Sequence, residues 1–167
     1  MKKSVLTSAI IALLSILNVG LQAQNATSKL NQIKLMESLW LGSWQSIISK
    51  DSILVSPETI RYGNVFEYNV FLVVGGEETF SFGGSYAYSP MEDNFKGISY
   101  SPEGNYQTWI GSFITETKFS IEWIQNFDSS KIFNKEVIDW ESPAKYTVTF
   151  FDLAGAKTGV SKWIKVK

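Results

Sequence analysis

The sequence predicts an all-β fold, an antiparallel up-and-down β-barrel of about eight to ten strands with one short N-terminal helix. Three observations carry this expectation. Aromatic residues make up 14% of the 167-residue chain, and with the β-branched residues they suit pleated, half-buried surfaces. Beyond Gly42, short segments alternate apolar and polar residues with period two, separated by turn chemistry. No segment between them has the spacing of a crossover helix, so a parallel sheet is not expected. A meander of antiparallel strands must hide its edges, and closure into a barrel does so completely. A two-sheet sandwich is the second arrangement that the pattern allows.

The elements follow in order. Lys29 to Trp40 has helical spacing: Leu30, Ile33, Met36 and Trp40 recur on one track, with Leu35 and Leu39 on an adjoining one. Ser43 to Lys50 reads as the first strand, and Ile53 to Arg61, interrupted by Pro57, as a weaker second. Asn64 to Val74 alternates most clearly, with Phe66, Tyr68, Val70, Leu72 and Val74 on one face. Gly75-Gly76 makes a tight hairpin to Glu78–Phe82, Gly83-Gly84 suggests a bend or bulge, and Ser85 to Tyr88 resumes. Phe95–Tyr100 and Asn105–Phe113 pair across Ser101-Pro102-Glu103-Gly104. Lys118 to Ile124 alternates again, Asn126 to Lys135 reads as a loop, and Glu136 to Trp140 as a short strand. Lys145–Phe151, a turn at Leu153–Ala156 and Gly159–Val166 complete the chain.

The N-terminus reads as an address. Lys2 and Lys3 precede an apolar run from Val5 to Leu17, and Leu21-Gln22-Ala23 offers a small-residue cleavage site before Gln24. This is the pattern of a secretory signal peptide of bacterial type over residues 1–23, with residues 24–167 as one exported domain, periplasmic or extracellular. The apolar run is shorter than the roughly 20 residues of a bilayer span, so no transmembrane segment is expected in the mature chain. Lipid attachment at such a leader needs a cysteine, and there is none.

Composition excludes several function classes. Cleavage removes two lysines and no acids, leaving 13 basic and 16 acidic residues and a charge of −3. That balance argues against nucleic-acid binding. With no cysteine, the domain is held by packing alone. With no histidine either, Cys/His zinc sites and histidine-based nucleophile couples are excluded. Acid–base chemistry would fall to Asp, Glu, Lys or Tyr. No metal or cofactor is expected.

Leu41-Gly42-Ser43-Trp44 follows the helix and opens the first strand. This G-x-W resembles the lipocalin and wider calycin superfamily. The resemblance implies that Trp44, introduced by Gly42, plugs one end of a barrel. It also implies that a basic residue near the last strand, Lys162 or Lys165, packs across the indole. The order of elements matches over nearly the whole mature chain. The size is also similar to small barrels related to the haem-binding nitrobindins, whose histidine ligand this chain lacks, so haem is not expected.

Phe66, Tyr68, Phe82, Tyr86, Tyr88, Phe119, Trp123 and Tyr146 fall on faces read as inward, and are the candidate ligand-binding residues. The expected function is non-catalytic binding of a small hydrophobic or amphipathic molecule, oriented by the Tyr68, Tyr86 or Tyr146 hydroxyl. The competing expectation is a filled core, in which case the outer surface works as an envelope-associated interaction module. Exposed Trp109 and Trp163 would favour that. A third is a barrel enzyme with a Tyr or Glu acid–base group. Glu67, Glu116 and Glu122 are the strand-embedded carboxylates considered for it, with Glu67 and Glu122 expected on the outer face. The acidic turns Glu77-Glu78 and Glu92-Asp93 lack the ligand spacing of a calcium loop.

Overall fold

Asn31 starts the helix. Its side chain accepts a hydrogen bond from the Lys34 backbone N–H at 3.1 Å, and helix α1 then runs Gln32–Leu39. It buries Gln32, Met36 and Leu39 and ends at Trp40, whose N–H donates to the Met36 carbonyl. Gly42 follows with φ 124°, a region that side-chain-bearing residues rarely enter, and redirects the chain into the first strand. The computed structural model describes residues 30–166, and the leader and its cleavage site at residues 1–23 lie outside them.

Eleven strands follow: β1 Trp44–Ser49, β2 Ser52–Ser56, β3 Ile60–Tyr62, β4 Val65–Val74, β5 Glu77–Ser89, β6 Asn94–Tyr100, β7 Tyr106–Thr115, β8 Lys118–Gln125, β9 Asp128–Ser142, β10 Lys145–Phe151 and β11 Lys157–Lys165. Each pairs antiparallel with its neighbour from β4 to β11. The sheet then closes on itself: β11 pairs with β1 through Trp44↔Lys165, β1 pairs with β2, and β2 pairs with β4 through Ser52↔Val74. β2 and β3 lie along the two ends of β4, separated by Pro57, which cannot donate to a ladder. They occupy one position, so the fold is a closed antiparallel ten-stranded barrel with one short helix. Closure leaves no free edge around the ring.

Two local expectations are corrected. Gly83-Gly84 is not a bend: β5 passes straight through, and the irregularity lies at Ser81, between the pairs Val70↔Phe82 and Phe71↔Phe80. Residues 126–135 are mostly strand. Asn126-Phe127 forms a two-residue turn with φ 51° and 59°, whose twist suits a hairpin, and β9 starts at Asp128.

The inner face is divided along the barrel. The end under α1 is filled by Met36, Phe66, Phe95, Phe113, Phe119 and Trp140, all at most 3% exposed. Glycines on the inner face make room for large rings there. A Cβ on Gly97 would stand 2.2 Å from the Trp109 ring, and one on Gly111 would stand 2.6 Å from the Phe119 ring. Helix α1 is fastened at two points. The Gln32 amide exchanges hydrogen bonds with the backbone of Phe113, at 2.7 and 3.1 Å, and Glu37 pairs with Arg61 of β3. Outward residues pair across strands, as in Lys135–Glu122 at 2.7 Å and Lys118–Asp139 at 3.0 Å. Among the described residues, no helix is long and apolar enough to cross a membrane.

Candidate ligand cavity

Beyond the filled end, the barrel holds a cavity of about 600 Å³ that reaches Ser101 and Asn105 in the β6–β7 turn. That turn and the helix contact at Phe113 lie at opposite ends of β7.

Trp40 separates the two halves. Its ring lies 5.6 Å from Phe119 on the filled side, and 6.0 and 6.4 Å from Tyr86 and Tyr146 of the cavity wall. Its carbonyl accepts a 2.8 Å hydrogen bond from Trp44 Nε1. Trp44 is 1% exposed, meets Tyr146 edge-on at 4.6 Å, and carries Lys165 Nζ 5.2 Å from its ring centroid. An ammonium over an indole face is held by the ring quadrupole. Lys162 sits on the exposed face of β11 and is not the residue packed on Trp44.

Of the eight aromatic candidates, Tyr68, Phe82, Tyr86, Trp123 and Tyr146 line the cavity. The other three do not. Phe66 and Phe119 are fully buried in the filled end; Phe66 stacks on Tyr86 at 5.0 Å, and Phe119 packs edge-on against Phe113 at 4.9 Å. Tyr88 donates to Asp93 Oδ1 at 2.6 Å in the β5–β6 turn, which holds its hydroxyl away from the cavity. Period two identifies a face but not a depth, and the helix end is where the inner face is solid. Trp109 and Trp163 point inward and join the wall, 3% and 7% exposed, so they form no outer patch.

The wall is mainly apolar in surface, and besides its tyrosines its polar side chains are Ser56, Ser99, Ser101, Asn105, Gln107, Ser161 and Glu136. Tyr68 and Ser99 hydroxyls are 2.5 Å apart, and Ser161 is bonded to Ser46 at 3.0 Å. Burial pushes the Tyr68 phenol up to about 12, against the lowering effect of the Ser99 bond, and the Glu136 charge adds to the rise. Burial also holds the Tyr86 and Tyr146 phenols well above their ordinary value. The Tyr86 hydroxyl donates to Met36 Sδ at 3.7 Å, while that of Tyr146 has no hydrogen bond among the described residues.

Among the described residues, Glu136 is the one carboxylate on the wall, and no lysine or arginine lines the cavity. Trp123 Nε1 donates to its Oε1 at 2.6 Å. Burial pushes this carboxyl from 4.5 up to about 7, with the Trp123 bond opposing the rise. Glu136 is not among the carboxylates singled out from the sequence, although it opens the expected strand Glu136–Trp140. The signal was its parity: Glu136, Ile138 and Trp140 share a strand face, and the last two are buried. The carboxylates considered earlier lie elsewhere. Glu67 is exposed on the outer face, Glu122 pairs outside with Lys135, and Glu116 is exposed in the β7–β8 turn. Among the described residues, no group of three or more acidic side chains gathers at metal-binding range.

Comparison with models of known protein families gives no match, and comparison with curated proteins gives none.

Proposed function

We propose that the chain is an exported, lipocalin-like domain that holds one small apolar or amphipathic molecule inside its barrel, without catalysis. The observation that carries this is the aromatic-walled cavity of about 600 Å³, a size and character suited to a single small ligand. The turn at Gly42 and the Lys165-covered Trp44 support the lipocalin-like assignment. The inward tryptophans weigh against a solid interaction module.

Titration with the neutral apolar dye N-phenyl-1-naphthylamine tests binding. Saturable, blue-shifted emission at one dye per chain is expected, and Val148→Trp, which places an indole in the cavity wall, should suppress it. Dye emission no different from that in buffer would sink the proposal. Export is tested separately, by mass spectrometry of the mature protein. An N-terminus at Gln24 is expected, and an intact Met1 would refute it.

Glu136 favours one second reading, an enzyme with this carboxyl as acid–base group, since a value near 7 suits proton transfer at neutral pH. The binding proposal predicts that ligands are recovered chemically unchanged, whereas the enzyme predicts turnover that Glu136→Gln abolishes.

A further inference from the structure

The cavity wall carries a single charge, and its surroundings specify what should neutralise it. We propose that the occupant bears a protonated amine, that Glu136 is its counter-ion, and that the ligand's apolar body lies against the aromatic wall. This rests on the reading of the barrel as a ligand carrier and names the chemical class it takes.

Glu136 stands on the inner face of β9, between Ile121 of β8 and Phe150 of β10 in the ladder. One carboxylate oxygen accepts the Trp123 N–H at 2.6 Å, and the other has no partner among the described residues. None of the ion pairs among those residues includes Glu136. The groups facing it are neutral near pH 7. Trp123 and Ile121 come from β8, Phe150 and Val148 from β10, and the Tyr68 phenol, held by Ser99, from β4. The other titratable wall residues are Tyr86, Tyr100 and Tyr146. Lys135, beside it on β9, pairs with Glu122 on the outer face.

An ionised carboxylate in such a place lacks the cation that normally offsets its desolvation. A ligand ammonium supplies that cation and N–H donors for the free oxygen. A ligand carboxylate would set two like charges together, and a neutral alcohol would leave the charge unbalanced. Pairing requires Glu136 to be ionised. Burial pushes its carboxyl up to about 7. Amine affinity should therefore fall about tenfold from pH 8 to pH 6, as protonation competes with binding.

The experiment is displacement of N-phenyl-1-naphthylamine from the mature chain by 4-phenylbutylamine, 4-phenylbutanol and 4-phenylbutyrate. At pH 8 the amine should displace the dye at concentrations at least tenfold below the alcohol, with the acid weakest. The amine-to-alcohol preference should shrink about tenfold by pH 6. It should vanish in Glu136→Gln while dye uptake persists. If amine and alcohol compete equally at pH 8, the amine assignment is overturned and the carrier reading stands. If the native chain takes up no dye, both fall. Should the variant not fold, the wild-type pH series decides, because a preference independent of pH overturns the assignment.

Discussion

Replacing Glu136 with Gln should stabilise the protein, and only above mildly acidic pH. The side chain keeps its shape and an oxygen for the Trp123 N–H, so the substitution removes the charge alone. In the native state burial raises the carboxyl from 4.5 to about 7. Below pH 4.5 the carboxyl is protonated whether the chain is folded or not, and the group is neutral with respect to folding. Between 4.5 and 7 the folded chain holds a proton that the unfolded chain has lost, so stability falls as pH rises. The full displacement, from 4.5 to about 7, corresponds to roughly 3.5 kcal/mol at about 1.4 kcal/mol per pH unit. Glu136 is only half-buried, so solvent screens part of that, and about 2 kcal/mol is the expected difference at pH 8. Urea denaturation followed by tryptophan fluorescence, wild type against Glu136→Gln at pH 4.5 and pH 8, isolates this one group because all others titrate equally in both chains. The two should agree within about 0.5 kcal/mol at the lower pH and separate at the higher, with the variant more stable. A difference that does not change with pH, or that favours the wild type at pH 8, would refute the reasoning.

Trp44→Ala removes a buried indole, its bond to the Trp40 carbonyl and its contact with Lys165, and should cost about 3 to 5 kcal/mol. A change within about 0.5 kcal/mol in the same assay would mean that Trp44 does not close the barrel. Gly97→Ala drives a methyl into the rigid Trp109 ring at 2.2 Å and should cost about 2 kcal/mol or more, read as a lowered thermal midpoint. Gln32→Leu strips both hydrogen bonds from the Phe113 backbone and should cost about 2 kcal/mol. It should also speed hydrogen exchange at the Phe113 amide, and unchanged exchange there would argue that α1 is held by other contacts.

Much of the barrel is legible in the sequence because period two survives in its longest strands. The faces of Phe66–Val70, Phe119–Trp123 and Tyr146–Val148 follow from alternation alone, and all turn inward. Alternation is silent about depth, so Phe66 and Phe119 are indistinguishable from Tyr68 and Trp123 until the helix is seated on one end. Ring closure is equally hidden, since the β1–β11 pairing joins residues more than a hundred positions apart with no local signal. The first half of β9, Asp128 to Lys135, is hidden because the turn before it is Asn126-Phe127, where a bulky ring takes the positive φ that glycine usually marks. Glu136 itself is legible, since parity with Trp140 within the expected strand Glu136–Trp140 turns this carboxylate inward.

The central claim is that the barrel travels with an occupant. Native mass spectrometry of the protein purified from its own host tests this most directly, run at collision energies that leave the N-phenyl-1-naphthylamine complex intact. The account predicts a one-to-one adduct of a small, amine-bearing molecule, released as the collision energy rises. The bare mass of the chain alone, under conditions that preserve the dye complex, would contradict it.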